Sequence, residues 1–96
     1  MFRITGSAHK FLQELVTKEK KTEDENLFVR LSMGIGWGGP KLNLSLEERK
    51  IQGDLTFEFD DLIILIHEKE FVYFDHTKLD YSDDVLGNKK FHLLRM

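Results

Sequence analysis

The hydrophobic period of this chain changes once, and that change restricts the fold more than any other feature. Ala8, Phe11, Leu12, Leu15 and Val16 recur at steps of three and four, which puts one apolar stripe on a helix. From Leu27 onward the step is two. Leu27, Val29, Leu31 and Met33 alternate with Phe28, Arg30 and Ser32; Leu42, Leu44 and Leu46 alternate with Lys41, Asn43 and Ser45; Leu55, Phe57 and Phe59 follow in the same way. A strand sends successive side chains to opposite faces, so each of these segments presents one apolar face. One helix followed by six or seven short strands predicts an α+β fold, with the N-terminal helix packed on a mostly antiparallel sandwich or half-barrel.

The boundaries follow from local chemistry. Thr5 or Ser7 can cap the helix by accepting its orphan N–H bonds, Glu14 and Lys18 form a favourable pair one turn apart, and the helix should fade near Lys20. Strands are expected near Leu27–Met33, Lys41–Leu46 and Leu55–Phe59. Leu62-Ile63-Ile64-Leu65-Ile66 is short, continuous and rich in β-branched residues, the pattern of a strand covered on both faces. Phe71–Phe74 reads as a strand or a short helical turn, and Leu79, Tyr81 and Phe91–Leu94 supply two more extended pieces with a bend at Gly87-Asn88. The expected core is Phe11, Leu12, Leu15, Val29, Leu31, Leu44, Phe57, Ile64 and Leu79. No repeat or linker divides the sequence, so residues 1–96 are expected to form one domain.

Charge and composition restrict partners. The net charge is −3 and the basic residues are scattered, which argues against nucleic acid. The basic run Lys18–Lys21 is interrupted by Glu19 and followed by acidic residues, as in a solvated helix end. The longest apolar run, Leu62–Ile66, is far shorter than a membrane span, and Met1–Thr5 has no apolar leader. There is no cysteine, so no disulfide supports secretion, and a cytoplasmic location is expected.

Few residues offer chemistry. Gly34-Ile35-Gly36-Trp37-Gly38-Gly39 matches a dinucleotide fingerprint in form, but Pro40 and an alternating strand follow it where the fingerprint needs a helix N-terminus. The loop's glycines instead allow positive φ and close backbone approach. Trp37 among them is expected to fold down and seal the core; the alternative is an exposed anchor for a partner, with Gly36, Gly38 and Gly39 beside it. His9, His67, His76 and His92 lack metal-site spacing and read as surface residues. Glu47-Glu48, Asp60-Asp61 and Asp83-Asp84 fall in expected turns, where carboxylates are solvated and poor general acids. No serine elbow is present either, so the chain is not expected to be an enzyme.

The order of these features carries a resemblance. A helix leads into Val29-Arg30-Leu31-Ser32, a glycine-rich loop and an alternating strand; later come Asp75-His76-Thr77-Lys78-Leu79-Asp80-Tyr81 and Phe91-His92-Leu93. From Ser7 to Leu93 this resembles the HesB-like family of iron–sulfur biosynthesis proteins, the A-type carriers. The resemblance implies a HesB-like fold, a place in iron–sulfur cluster biosynthesis and iron–sulfur assembly proteins as partners. It also implies three cysteines, one in the glycine-rich loop and two in a C-terminal Cys-x-Cys. Trp37 stands where the first would be, and no Cys-x-Cys occurs up to Met96. An indole offers an N–H donor and no thiolate, so no cluster or other cofactor is expected. Two functions remain: a cluster-free binding or regulatory module, or a metal-binding protein in iron handling that uses Asp75, His76 and Asp80. Apolar strand surface on a small core also points to homo-oligomers.

Overall fold

In the computed structural model, residues 1–22, 26–37 and 39–96 are described. A strand absent from the sequence reading opens the chain: β1 (Phe2–Ile4) precedes α1 (Gly6–Glu19). Then come β2 (Phe28–Gly36), β3 (Gly39–Glu47), β4 (Asp54–Phe59), β5 (Leu62–His67), β6 (Thr77–Asp83) and β7 (Lys89–Arg95). Phe71–Tyr73 forms one 3-10 turn, resolving the choice at that segment in favour of the helical turn.

The strands form two sheets, ordered β1-β6-β7 and β3-β2-β5-β4. The three sequential hairpins, β2–β3, β4–β5 and β6–β7, are antiparallel. β1 with β6 and β2 with β5 are parallel, each joined by a long connection. The fold is therefore α+β and mostly antiparallel, one helix on sheets of three and four short strands, as the sequence periods predict.

Thr5 supplies the helix cap. Its hydroxyl accepts from the Ala8 N–H at 3.3 Å, and Ser7 lies inside the helix. α1 buries Ala8, Leu12 and Val16 and packs on β6, β2 and β5. These residues share one cluster with Val29, Leu31, Leu62, Ile64, Ile66, Phe74, Leu79 and Phe2. Of the expected core, Leu12, Val29, Leu31, Ile64 and Leu79 are buried, while Phe11, Leu15, Leu44 and Phe57 are only half-buried. Phe11 sits at the margin, stacked on Tyr81 with ring centroids 4.2 Å apart. The centre that sequence spacing missed is Phe2, edge-on to Phe57 at 5.6 Å and to Phe74 at 6.0 Å, so the first strand clasps the two halves of the fold.

Candidate functional site

The glycine-rich segment is not the loop expected from its composition. β2 and β3 run on through it and pair as far as Gly36 opposite Gly39, leaving only Trp37 and Gly38 between them. A two-residue connection makes a tight hairpin, and Gly39 at φ +118° takes a backbone conformation that a side chain would strain. Gly38 lies outside the described residues.

The hairpin outgrows its support. β5 pairs with β2 only over Val29–Leu31, so the ribbon beyond has no strand beside it. Directly opposed residues share a face, and Val29/Leu46, Leu31/Leu44, Met33/Leu42 and Ile35/Pro40 make one apolar stripe from core to tip. Val29 and Leu31 are fully buried, Met33 and Leu42 are half-covered, and Ile35 is 97% exposed. Trp37 is fully exposed, at 107% of its reference area. The expectation that Trp37 seals the core is therefore corrected: a two-residue turn at the end of an unsupported ribbon leaves the indole no core to reach. Ile35, which sequence reading passed over, is exposed beside it; its position between two glycines in a strand-period segment was the available signal.

Asp75 and His76 lie together, and Asp80 is engaged by other partners. Asp80 on β6 accepts from Thr5 Oγ1 at 2.7 Å and from Ser7 Oγ at 3.1 Å. These bonds, that of Thr5 foremost, hold its carboxyl below the usual carboxylate range and tie it to the start of α1. Asp75 receives the N-terminal ammonium of Met1, which lowers its pKa, and His76 Nε2 lies 3.6 Å from it on an exposed turn. Among the described residues no three histidine, aspartate or glutamate side chains form a group that could hold a metal ion.

The other candidate groups are committed locally. His9 and His92 face the carbonyls of Phe59 and Ser82, His67 accepts from the Lys69 N–H, and all three are half-buried where surface positions were expected. Glu47 ends β3, where a turn was expected, and Asp83 ends β6. Arg30 donates to Glu47 at 3.1 Å and to both oxygens of Asp54 at 2.7 and 2.6 Å. The Arg30 hydrogen bonds pull Asp54 below, and raise Arg30 above, their ordinary pKa values. This network joins β2, β3 and β4, and sequence gave no sign of it because its members are brought together only by sheet pairing.

No family model matches the chain, and no curated protein does. Solved structures do match it. Escherichia coli SufA, involved in biosynthesis of iron–sulfur clusters, has a TM-score of 0.76 and 24% identity over 97% of this chain and 78% of its own. IscA with the [2Fe–2S] cluster has a TM-score of 0.71 and 20% identity, over 97% of this chain and 82% of that one. A protein from Aquifex aeolicus has a TM-score of 0.76 and 22% identity, over 99% and 91%. These likenesses show the fold of the A-type iron–sulfur carriers. Residues 1–96 hold no cysteine on it, so the donor set does not fit a cluster: no thiolate exists, and no acidic and imidazole group replaces it among the described residues.

Proposed function

We propose that this chain is a cluster-free binding or regulatory module on the A-type carrier fold, working as one domain with the proteins of iron–sulfur assembly. It is not an enzyme on this reading, it acts in the cytoplasm, and it holds no cofactor. The observation that carries the reading is Trp37, fully exposed at the tip of the β2–β3 hairpin and standing in the glycine-rich segment where the resemblance places a cysteine. A large rigid indole held away from the core supplies contact area at small entropic cost and is the residue type most often found at interface hot spots. Gly36 and Gly39 flank the turn without side chains of their own, and Ile35, two residues before Trp37, is exposed as well. The strand surface left half-covered would also serve a homo-oligomer.

The test is capture of purified iron–sulfur assembly proteins by the tagged chain. Trp37→Ala should abolish capture while the circular dichroism spectrum is unchanged. Capture that is equal in the variant and the parent would overturn the reading.

A further inference from the structure

The two edges of the β2–β3 ribbon are treated differently. On the β2 side the Met33 N–H points away from β3 and donates to Glu70 Oε1 at 2.9 Å, so a side chain closes that edge. The same bond fixes the ladder. Met33 lies opposite Leu42, and a residue whose N–H turns away from its antiparallel partner belongs to a non-hydrogen-bonded pair. Leu42 therefore turns its own N–H and C=O outward, and by alternation so do Leu44 and Leu46, opposite Leu31 and Val29. β3 is the terminal strand of its sheet, and among the described residues nothing takes these backbone groups.

The other edges are guarded. β1 is three residues long, β4 is six and carries exposed Glu58, and β7 carries Lys89, Lys90 and Arg95. Short strands and charges of this kind discourage strand addition. β3 is nine residues long; Pro40 and Lys41, the guarding residue types on it, sit at its hairpin end, and along the rest only Asn43 and Ser45 stand on the solvent face. Beside it lies a groove of about 450 Å³ lined by Leu42, Leu44 and Phe91, with Lys41 and Lys90. Lys41 has no ionic partner among the described residues, and Lys90 has only Asp84, at 3.4 Å.

We propose that β3 is a docking edge for an extended segment of another protein in which apolar residues alternate and carboxylates flank them. The segment adds a fifth strand to the four-stranded sheet. It pairs with the outward backbone groups of Leu42, Leu44 and Leu46, lays its apolar side chains over Leu42, Leu44 and Phe91, and brings a carboxylate to Lys41 and Lys90. Charge selects this occupant over a second copy's β3, whose one carboxylate, Glu47, is already held by Arg30 at 3.1 Å. The inference stands on the β3 edge and goes beyond the role proposed for Trp37.

The probe is a blocked synthetic peptide, Asp-Val-Thr-Val-Thr-Val-Asp, added to the full chain while amide hydrogen exchange is followed by NMR. The amides of Leu42, Leu44 and Leu46 should slow by about tenfold or more, and those of Asn43 and Ser45, already paired to β2, should change little. The peptide with lysine in place of both aspartates should bind several-fold more weakly, and Lys41→Glu should reverse that preference. Leu44→Pro, which removes an outward N–H and no bond to β2, should abolish the slowing. Trp37→Ala should leave it intact. Exchange unchanged at millimolar peptide would overturn the proposal, as would equal binding of both peptides. Slowing that follows protein concentration without peptide would assign the edge to a second copy, and loss of slowing in Trp37→Ala would move the peptide to the hairpin tip; either result overturns it too.

Discussion

Arg30 and Trp37 are opposite cases of a residue placed by the same hairpin. Arg30 lies on β2 where β5, β4 and the base of β3 surround it, and its guanidinium is satisfied by Glu47 and the fully covered carboxylate of Asp54. Removing Asp54 takes two of the three hydrogen bonds from a largely covered guanidinium and leaves it Glu47 alone, so Asp54→Ala should cost about 2 kcal/mol in denaturant unfolding. The pH dependence has a definite sign. Asp54 has a depressed pKa when folded, so its contribution is full above the ordinary aspartate pKa and is lost as pH falls through the folded value. Asp54→Asn should therefore flatten the acid limb of stability below about pH 4, read from urea midpoints across pH. Trp37, seven positions further along, touches nothing that supports the fold. Trp37→Ala should change stability by less than about 0.5 kcal/mol. As the chain's one tryptophan, Trp37 should emit as a water-exposed indole, which a fluorescence spectrum reads directly.

Elements are held at their ends by side chains from distant parts of the sequence. Thr5 caps α1 and donates to Asp80 on β6, so it fixes both the start of the helix and its seat on the three-stranded sheet. Thr5→Ala should cost about 1 to 2 kcal/mol, measured by chemical denaturation. Glu70, just before the 3-10 turn, receives the Met33 N–H; Glu70→Ala should speed exchange of that amide and leave exchange at Leu31 unchanged, since β5 covers Leu31. The same dependence on distant partners explains what was legible in the sequence. The helix, Thr5 as one of two cap candidates, and the alternating strands Leu27–Met33, Lys41–Leu46 and Leu55–Phe59 follow from local periodicity, and local periodicity found them. β1 has three residues, too few to show a period, and it becomes a strand only because β6 lies beside it. The glycine-rich segment reads as a loop because glycine disfavours strands, yet pairing with the Gly39–Asn43 stretch carries β2 through to Gly36. The Arg30 network, the Glu70 closure and the groove beside β3 had no local signal at all, since each joins residues remote in sequence.

At the scale of the molecule, a single core cluster ties both sheets to α1, with Phe2 and Phe74 at its centre. Phe74→Ala should be among the most destabilising single changes, at about 3 to 5 kcal/mol, because Phe74 is fully buried and no neighbour can refill its volume without moving a strand. The outline that this core supports is the A-type carrier fold, matched over nearly the whole chain by proteins of which one carries a [2Fe–2S] cluster. What differs is the donor set. Residues 1–96 contain no thiolate, the glycine-rich hairpin ends in an exposed indole, and Asp80 is spent on the helix cap. The proposed reading is that residues 1–96 keep the frame of this fold with no thiolate to hold a cluster. Anaerobic reconstitution with iron and sulfide, followed by desalting and an absorption spectrum, tests it most directly. The account predicts no charge-transfer band between the protein peak and the far red and no iron or sulfide retained; a band that survives desalting with stoichiometric iron and sulfide would contradict it.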